Sequence, residues 1–391
     1  MPTGRKYDVV LFGATGFTGA LTAEYLARNA PARMRWALAG RNARKLAEVR
    51  LRLAAIDPLL AEMDLLVADV EDPASLKAVA EAARVVVTTV GPYINYGDAL
   101  VAACAQAGTD YADLTGEPEF VDRTYLRHHK TAVASGARLV HCCGFDSIPY
   151  DLGVYYTVKH LPEGAPLKVE GFASANAAFS GGTFHSAVTA FSRLRASARA
   201  ARERRQAEGK PQGRTVRGLV GKPRHEKKVG AWALPAATID PQIVLRSARA
   251  LPRYGPEFGY GHYLAIKKLP VAVGLVGGVA ALLALAQVPP ARNWLLGRKK
   301  PGDGPSAAKR DKSWFKVVFL GEGGGKRVVT EVSGGDPGYS ETSKMLGEAA
   351  MCLAFDDLPP TSGQVTTAVA MGDALTERLI AAGIKFSVRE G

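Results

Sequence analysis

The sequence predicts an α/β protein: an N-terminal Rossmann domain, a doubly wound parallel sheet, followed by a second, α+β domain. Three observations carry that prediction. Over the first 150 residues, short β-branched runs alternate with amphipathic stretches, the pattern of a parallel sheet wrapped by helices. A glycine-rich turn, Gly13-Ala14-Thr15-Gly16-Phe17-Thr18-Gly19, follows directly on the first run. After Pro149 the texture changes, and 391 residues exceed what one compact core accommodates.

The elements follow in order. Tyr7–Phe12 reads as a strand and Phe17–Asn29 as the helix behind it. Trp36–Ala39 and Leu65–Ala68 are the next strands, with a helix over Ala43–Ile56 between them. Val85–Val90 is continuously apolar, as a strand buried on both faces should be. Asp110–Leu114 and Leu139–Cys143 continue the alternation around a helix at Phe120–Ser135. This gives a nucleotide-binding domain over residues 1–150 and a substrate or partner domain over 151–391. In the latter, Leu167–Ser174 reads as a strand, and Gly181-Gly182 opens a long Ala/Arg-rich helix. Gln206–Lys228 and Gly297–Lys312 are expected to be loops. Lys316–Phe319 and Arg327–Val332 form a hairpin around Gly321–Gly325, and helices at Ser340–Leu353 and Met371–Ala382 close the chain, packing back on the first domain.

At 47% hydrophobic and 22% charged the composition is that of a globular protein. Cys104, Cys142, Cys143 and Cys352 lack metal-ligand spacing and read as buried thiols of a reducing cytosol, and the first residues show no secretory signal. No metal site is expected. The net charge of +13 is concentrated: Arg193–Lys228 holds thirteen Lys or Arg against Glu203, Glu208 and Glu226, a local +10. Such a basic arm is either a solvated surface or a dock for an acidic partner. Few aromatics stand in it to stack bases, which argues against nucleic acid.

The glycine turn suits a dinucleotide. Gly13 allows the tight turn, Gly16 lets a pyrophosphate approach the backbone, and Gly19 permits close helix–sheet packing, while the helix N-terminus offers free N–H groups. An NAD enzyme places Asp or Glu after its second strand. Here the residues are Gly40-Arg41-Asn42, and Arg41 suits a 2′-phosphate, so NADP(H) is expected. Asp69 stands where such folds contact the adenine, and Val90-Gly91-Pro92 ends the fourth strand near the expected nicotinamide.

With these residues in hand, the chain resembles the saccharopine dehydrogenase-like oxidoreductases, and among them the trans-acting enoyl reductases of mycobacterial polyketide lipid synthesis. The resemblance rests on GATGFTG at Gly13–Gly19, TTVGPY at Thr88–Tyr93, GTDYADLTGE at Gly108–Glu117, CGFDSIPYDLG at Cys143–Gly153 and AMGDALTERLIAAGI at Ala370–Ile384. GQVTTAV, before Ala370, departs from the family's Gly-Val-Leu-Thr-Pro pattern. The resemblance implies NADPH-dependent reduction of an enoyl thioester on an acyl carrier domain. The alternative it leaves open is a cofactor-binding scaffold at a membrane or lipid surface.

Enoyl reduction needs a donor for the developing enolate oxygen and a proton for the α-carbon, both beside the nicotinamide. Tyr93, Asp146, Ser147 and His185 are the candidates, Tyr93 first because it follows the fourth strand directly and Asp146 second. Structural readings compete: Tyr93 as packing, Asp146 or Ser147 as a helix cap, His185 as a helix residue. The strongly apolar Leu269–Val288 has basic residues at both ends. It is read as a contact with an anionic membrane surface or a long acyl chain, as buried core, or as a span. The protein is expected in the cytoplasm, with peripheral placement on the inner face of the plasma membrane as one option.

Overall fold

A computed structural model describes residues 4–176, 188–189, 191–297 and 304–389. Six parallel strands, β1 (Tyr7–Phe12), β2 (Trp36–Gly40), β3 (Leu65–Val67), β4 (Ala83–Thr88), β5 (Asp110–Asp113) and β6 (Arg138–Val140), stand in the order β3-β2-β1-β4-β5-β6. This is the Rossmann order, with its topological switch between β1 and β4. All six residues of β1 are buried, Val9 and Leu11 in the core on one face and Val10 and Phe12 in the core on the other. Local chemistry sets the helix starts. Asn42 caps the helix Ala43–Ala54 by accepting from the Lys45 amide, and Asp72 caps Pro73–Ala82, whose first residue is a proline with no N–H to satisfy.

Three strands end earlier than the apolar runs suggest: β4 at Thr88, β5 at Asp113 and β6 at Val140. The residues beyond them turn off the sheet. Thr88 Oγ1 accepts from the Val90 amide, Asp113 Oδ1 accepts from the Thr115 and Cys142 amides, and Gly91-Pro92 is a cis peptide. These turns gather at the carboxyl edge.

The first sheet is not complete at residue 150. Its seventh strand, β14 (Gly363–Val365), pairs in parallel with β6, and the helix Ser340–Phe355 packs on the helix Phe17–Asn29, β4 and β5. The second sheet holds β7 (Leu167–Asn176), β8 (Thr215–Gly218), β9 (Arg224–Glu226), β10 (Ala231–Pro235), β11 (Glu257–Ile266), β12 (Trp314–Gly323), β13 (Lys326–Gly334) and β15 (Lys385–Arg389). Their order is β15-β13-β12-β7-β11-β10-β9, with β8 on the β10 side of β11. The β12–β13 turn is the pair Gly324-Gly325, both at positive φ, as a two-residue hairpin requires.

The expectation of a loop over Gln206–Lys228 is corrected. The helix Leu194–Glu208 runs through its start, and β8 and β9 pair within the second sheet. The charges are what fix it. Arg193 grips Glu119, buried Arg204 lies between Asp122 and Glu208, Arg214 donates to the Gly255, Ala248 and Leu251 carbonyls, and Arg224 binds Glu170. A segment whose counter-charges lie far away in sequence looks solvated when read alone. The Gly297–Lys312 loop likewise contains a short helix, Ala307–Arg310, within its described part. Gly181-Gly182 and His185 lie outside the described residues.

Candidate cofactor and active site

The turn after β1 has the geometry that phosphate binding requires. Gly13 sits at φ +90, where a side chain would also strike Val90, and a Cβ at Gly19 would lie 2.2 Å from the Gly13 carbonyl oxygen. Gly16 precedes the helix Phe17–Asn29 with no side-chain cap, and Thr15 and Gly16 are exposed, so no side chain of the turn caps the first amides of the helix. Thr89 Oγ1 donates to the Gly13 carbonyl and fixes the loop, while Ala14 is buried beneath it. Arg41 is exposed directly after β2. Asn42 has a structural duty as helix cap, and Asp69, half-buried after β3, spends one carboxylate oxygen on the Glu71 amide. The residues from Gly13 to Gly19, with Arg41, would therefore hold a phosphorylated dinucleotide along the carboxyl edge. Val90, Gly91 and Pro92 lie beside them after β4, the neighbour of β1.

The turn after β6 carries the most unusual backbone. Cys142 (φ 64) and Ser147 (φ 133) are the positive-φ residues other than glycine among those described. Such conformations persist only where the surroundings enforce them, and they cluster at functional sites. Phe145 is anchored by its amide to Thr342 Oγ1 and by an edge contact with Phe315, at 5.0 Å between ring centroids. Asp146 reaches over Gly116 in the turn after β5, where an added Cβ would sit 2.9 Å from its Oδ2. Its side chain meets solvent, yet desolvation by the protein packed around it, and then the Asp240 carboxylate, raise its pKa to about 7.

Behind Asp146 lies a buried polar cluster. Ser147 Oγ, fully buried, donates to Asp240 Oδ1 at 3.3 Å, and Thr238 Oγ1 donates to Asp240 Oδ2. His262 Nε2 approaches Asp240 Oδ2 at 3.5 Å, and Tyr260 hydrogen-bonds His262 Nδ1 at 3.0 Å. The Tyr150 ring meets the His262 ring edge-on at 5.0 Å. Burial raises Asp240 to about 6 and lowers His262 to about 4, so the imidazole is neutral at pH 7.

Tyr93 is a correction. Its hydroxyl donates to the Thr88 carbonyl and accepts from the Leu114 amide, both within the first domain, and the ring is buried against Phe120. Burial, and then the Asp113 carboxylate, push its phenol well above the ordinary value, and its hydroxyl is engaged by the Thr88 carbonyl and the Leu114 amide rather than open to a substrate. Glu117, across the next turn, accepts from the Tyr93 and Ile94 amides and fixes the backbone there, which position along the chain does not show. The structure brings Asp146 and Ser147 together and adds Tyr150, Asp240 and His262. Tyr150 falls inside the CGFDSIPYDLG block. Asp240 and His262 gave no signal of their own, because a carboxylate before a proline and a histidine in a strand are ordinary.

Comparison with known proteins places the chain in a family. Residues 9–140 match the family described as the saccharopine dehydrogenase NADP binding domain. The chain is 40% identical over 412 aligned residues to a Mycobacterium tuberculosis protein provisionally named a trans-acting enoyl reductase, covering 98% of this chain and 97% of that one. A trans-acting enoyl reductase of Mycobacterium ulcerans is 35% identical over 420 residues, with 98% of each covered. The fold is that of the apo saccharopine dehydrogenase (L-Glu forming) of Saccharomyces cerevisiae, at TM-score 0.55 and 13% identity, covering 98% and 99% of the two chains.

Proposed function

The chain belongs to the trans-acting enoyl reductases built on a saccharopine dehydrogenase NADP-binding domain, and from that premise we propose that it reduces the carbon–carbon double bond of an enoyl thioester presented on an acyl carrier domain during complex-lipid assembly. It is an NADP-dependent oxidoreductase. The observation that carries the finer reading is Asp146, a carboxyl group held near a pKa of 7 on the same sheet edge as the dinucleotide turn. A carboxylic acid still partly protonated at neutral pH is suited to give a proton to the α-carbon.

When bound, the nicotinamide supplies the hydride. The protein's part is to hold the proton and the geometry. Asp146 supplies the proton, and the negative charge of Asp240 behind it opposes early loss of that proton. Ser147, strained and bonded to Asp240, fixes the turn that aims Asp146 over Gly116. A carrier domain is acidic in the general case, and the helix Leu194–Glu208 turns Arg195, Arg202 and Arg205 to solvent. These side chains support docking of a carrier rather than use of the free thioester.

The test is NADPH oxidation with an enoyl group on a carrier domain, in the parent, Asp146→Asn and Tyr93→Phe. Asp146→Asn should lose roughly 10²–10³ in kcat with NADPH affinity intact. Tyr93→Phe should lose stability, because the Leu114 amide forfeits its acceptor, and keep its turnover. Full activity of Asp146→Asn would remove the proposed acid. Tight NADPH binding without oxidation on any enoyl thioester would overturn the substrate assignment.

A further inference from the structure

The helix Leu269–Gln287 has no charged side chain, and only Ala272 and Ala286 among its residues are buried. The half-buried Leu275, Leu282 and Leu283 lie on the same side as those two, which is the side turned to the protein. A helix on the surface of a globular protein presents polar residues on its outer face. This one presents Leu269, Val271, Val273, Val276, Val279 and Leu285. Its 19 residues extend about 28 Å, close to the thickness of a bilayer's hydrocarbon core.

Sheet topology decides against a span. The helix leaves the end of β11, and the chain returns into β12, and both strands pair with β7, one on each side. Both ends are therefore rooted in one sheet on one side of any membrane. A second crossing would need another 20 or so apolar residues, and Pro289–Gly297, the helix that follows, is too short. What remains open to the helix is to lie in the surface of a bilayer.

Charge names the surface. From Phe258 to Gly302 the sequence has Lys267, Lys268, Arg292, Arg298, Lys299 and Lys300 and no Asp or Glu. Lys267 and Lys268 are exposed at the N-terminal end of the helix, and exposed Trp294 sits in the helix that follows, as interfacial anchors do. We propose that Leu269–Gly297 is an in-plane, monotopic membrane anchor that binds the protein to an anionic bilayer surface. It also sets where the active site sits. The helix starts from the edge of the second sheet where Phe315, the second residue of β12, packs on Phe145 of the Asp146 turn. The Asp146 turn would then lie near the anchored side of the molecule, and the anchor itself does not depend on which substrate that turn serves.

The experiment is co-sedimentation of the full chain with phosphatidylcholine vesicles and with vesicles containing phosphatidylglycerol, at low and high salt. Light scattering without lipid runs alongside it. The parent should partition to the anionic vesicles at least roughly tenfold better than to the neutral ones and lose that preference in high salt. Val273→Glu with Val276→Glu should stay in the supernatant with NADPH binding unchanged, which shows the variant is folded. Lys267→Glu with Lys268→Glu should lose the preference for anionic lipid by roughly tenfold or more while keeping the apolar face. Equal partitioning of parent and Val273→Glu/Val276→Glu would overturn the anchor. So would a parent dimer in solution that dissociates in that variant and never sediments, since the helix would then be an interface between two copies. Binding that resists salt and ignores lipid charge would mean insertion through the bilayer, and the in-plane assignment would fall.

Discussion

Arg41 stands exposed immediately after β2, with no carboxylate where an NAD enzyme would place one. A guanidinium on a 2′-phosphate is a charge-assisted contact, worth about 1.5–3 kcal/mol. NADPH should accordingly bind at least roughly tenfold tighter than NADH, and Arg41→Ala should remove most of that difference with little effect on NADH. Calorimetric titration of both dinucleotides measures it. Equal affinities in the parent protein would detach Arg41 from the site. Asp240 makes a second prediction, in the pH dependence of stability. Burial raises its carboxyl to about 6, so folding favours the protonated form. The stabilisation is full below the unfolded value, near 4, and is lost as pH rises through 6, a change of up to ~3 kcal/mol. Its neighbours Asp146, Tyr150, Tyr260 and the neutral His262 supply no cation to reverse the sign. Urea midpoints of the parent should therefore fall relative to those of Asp240→Asn between pH 4 and 7. A constant difference between the two across that range would contradict the buried, proton-retaining carboxyl.

The helix Leu194–Glu208 shows how charge can be structural and yet look like surface. Arg204 is 4% exposed and fully buried Asp122 is its partner, with Gln242 Nε2 also donating to Asp122 at 2.8 Å. Glu208, on the next turn, is shared among Arg204, Arg246 and Arg249. The network ties this helix to the helix Pro118–Ser135 of the first domain and to the helix Asp240–Ala250, whose first residue is the buried carboxyl of the candidate site. Replacing Arg204 by leucine keeps its packing but leaves buried Asp122 without its ion-pair partner. The cost should be about 3–5 kcal/mol in urea denaturation. Loss of less than about 1 kcal/mol would return this helix to the role of a solvated arm.

One core runs through both domains. Leu346, Ala349 and Ala350 of the helix Ser340–Phe355 share a cluster with Leu11 and Val87 of the first sheet and with Val317 and Phe319 of the second. Asp151, at the start of the second domain, accepts from Ser247, Thr367 and the Ala368 amide, which holds the chain just after β14 in place. A fragment ending at residue 150 would uncover the face that Met345, Leu346, Met351 and Leu353 fill, each buried leucine or methionine contributing about 1.5–3 kcal/mol. It should fail to give a cooperative urea transition or to bind NADPH, whereas the full chain should do both. Folding of the fragment alone would show a division at 150 that the shared core denies.

The sequence by itself determined what depends on neighbours along the chain. The order of β1 to β6, the helices between most of them and the glycine turn all rest on periodicity, caps and steric demands local to a few residues. Arg41 was legible because its meaning lies in its place after a strand. The dinucleotide turn and the place of Arg41 on the sheet edge were therefore readable. The tertiary structure alone decided whatever depends on partners far away in sequence. The Tyr93 hydroxyl accepts from the Leu114 amide, and Glu117 holds its backbone, contacts made within the fold rather than along the chain. Asp240 and His262 were brought to the turn after β6 by the second domain. The basic segment became a helix and two strands because Asp122 and Glu170 lie where its arginines reach. The apolar run also needed the fold. Hydropathy cannot tell a core helix from a surface one, whereas the fold leaves this helix on the outside, between two strands that pair on either side of β7.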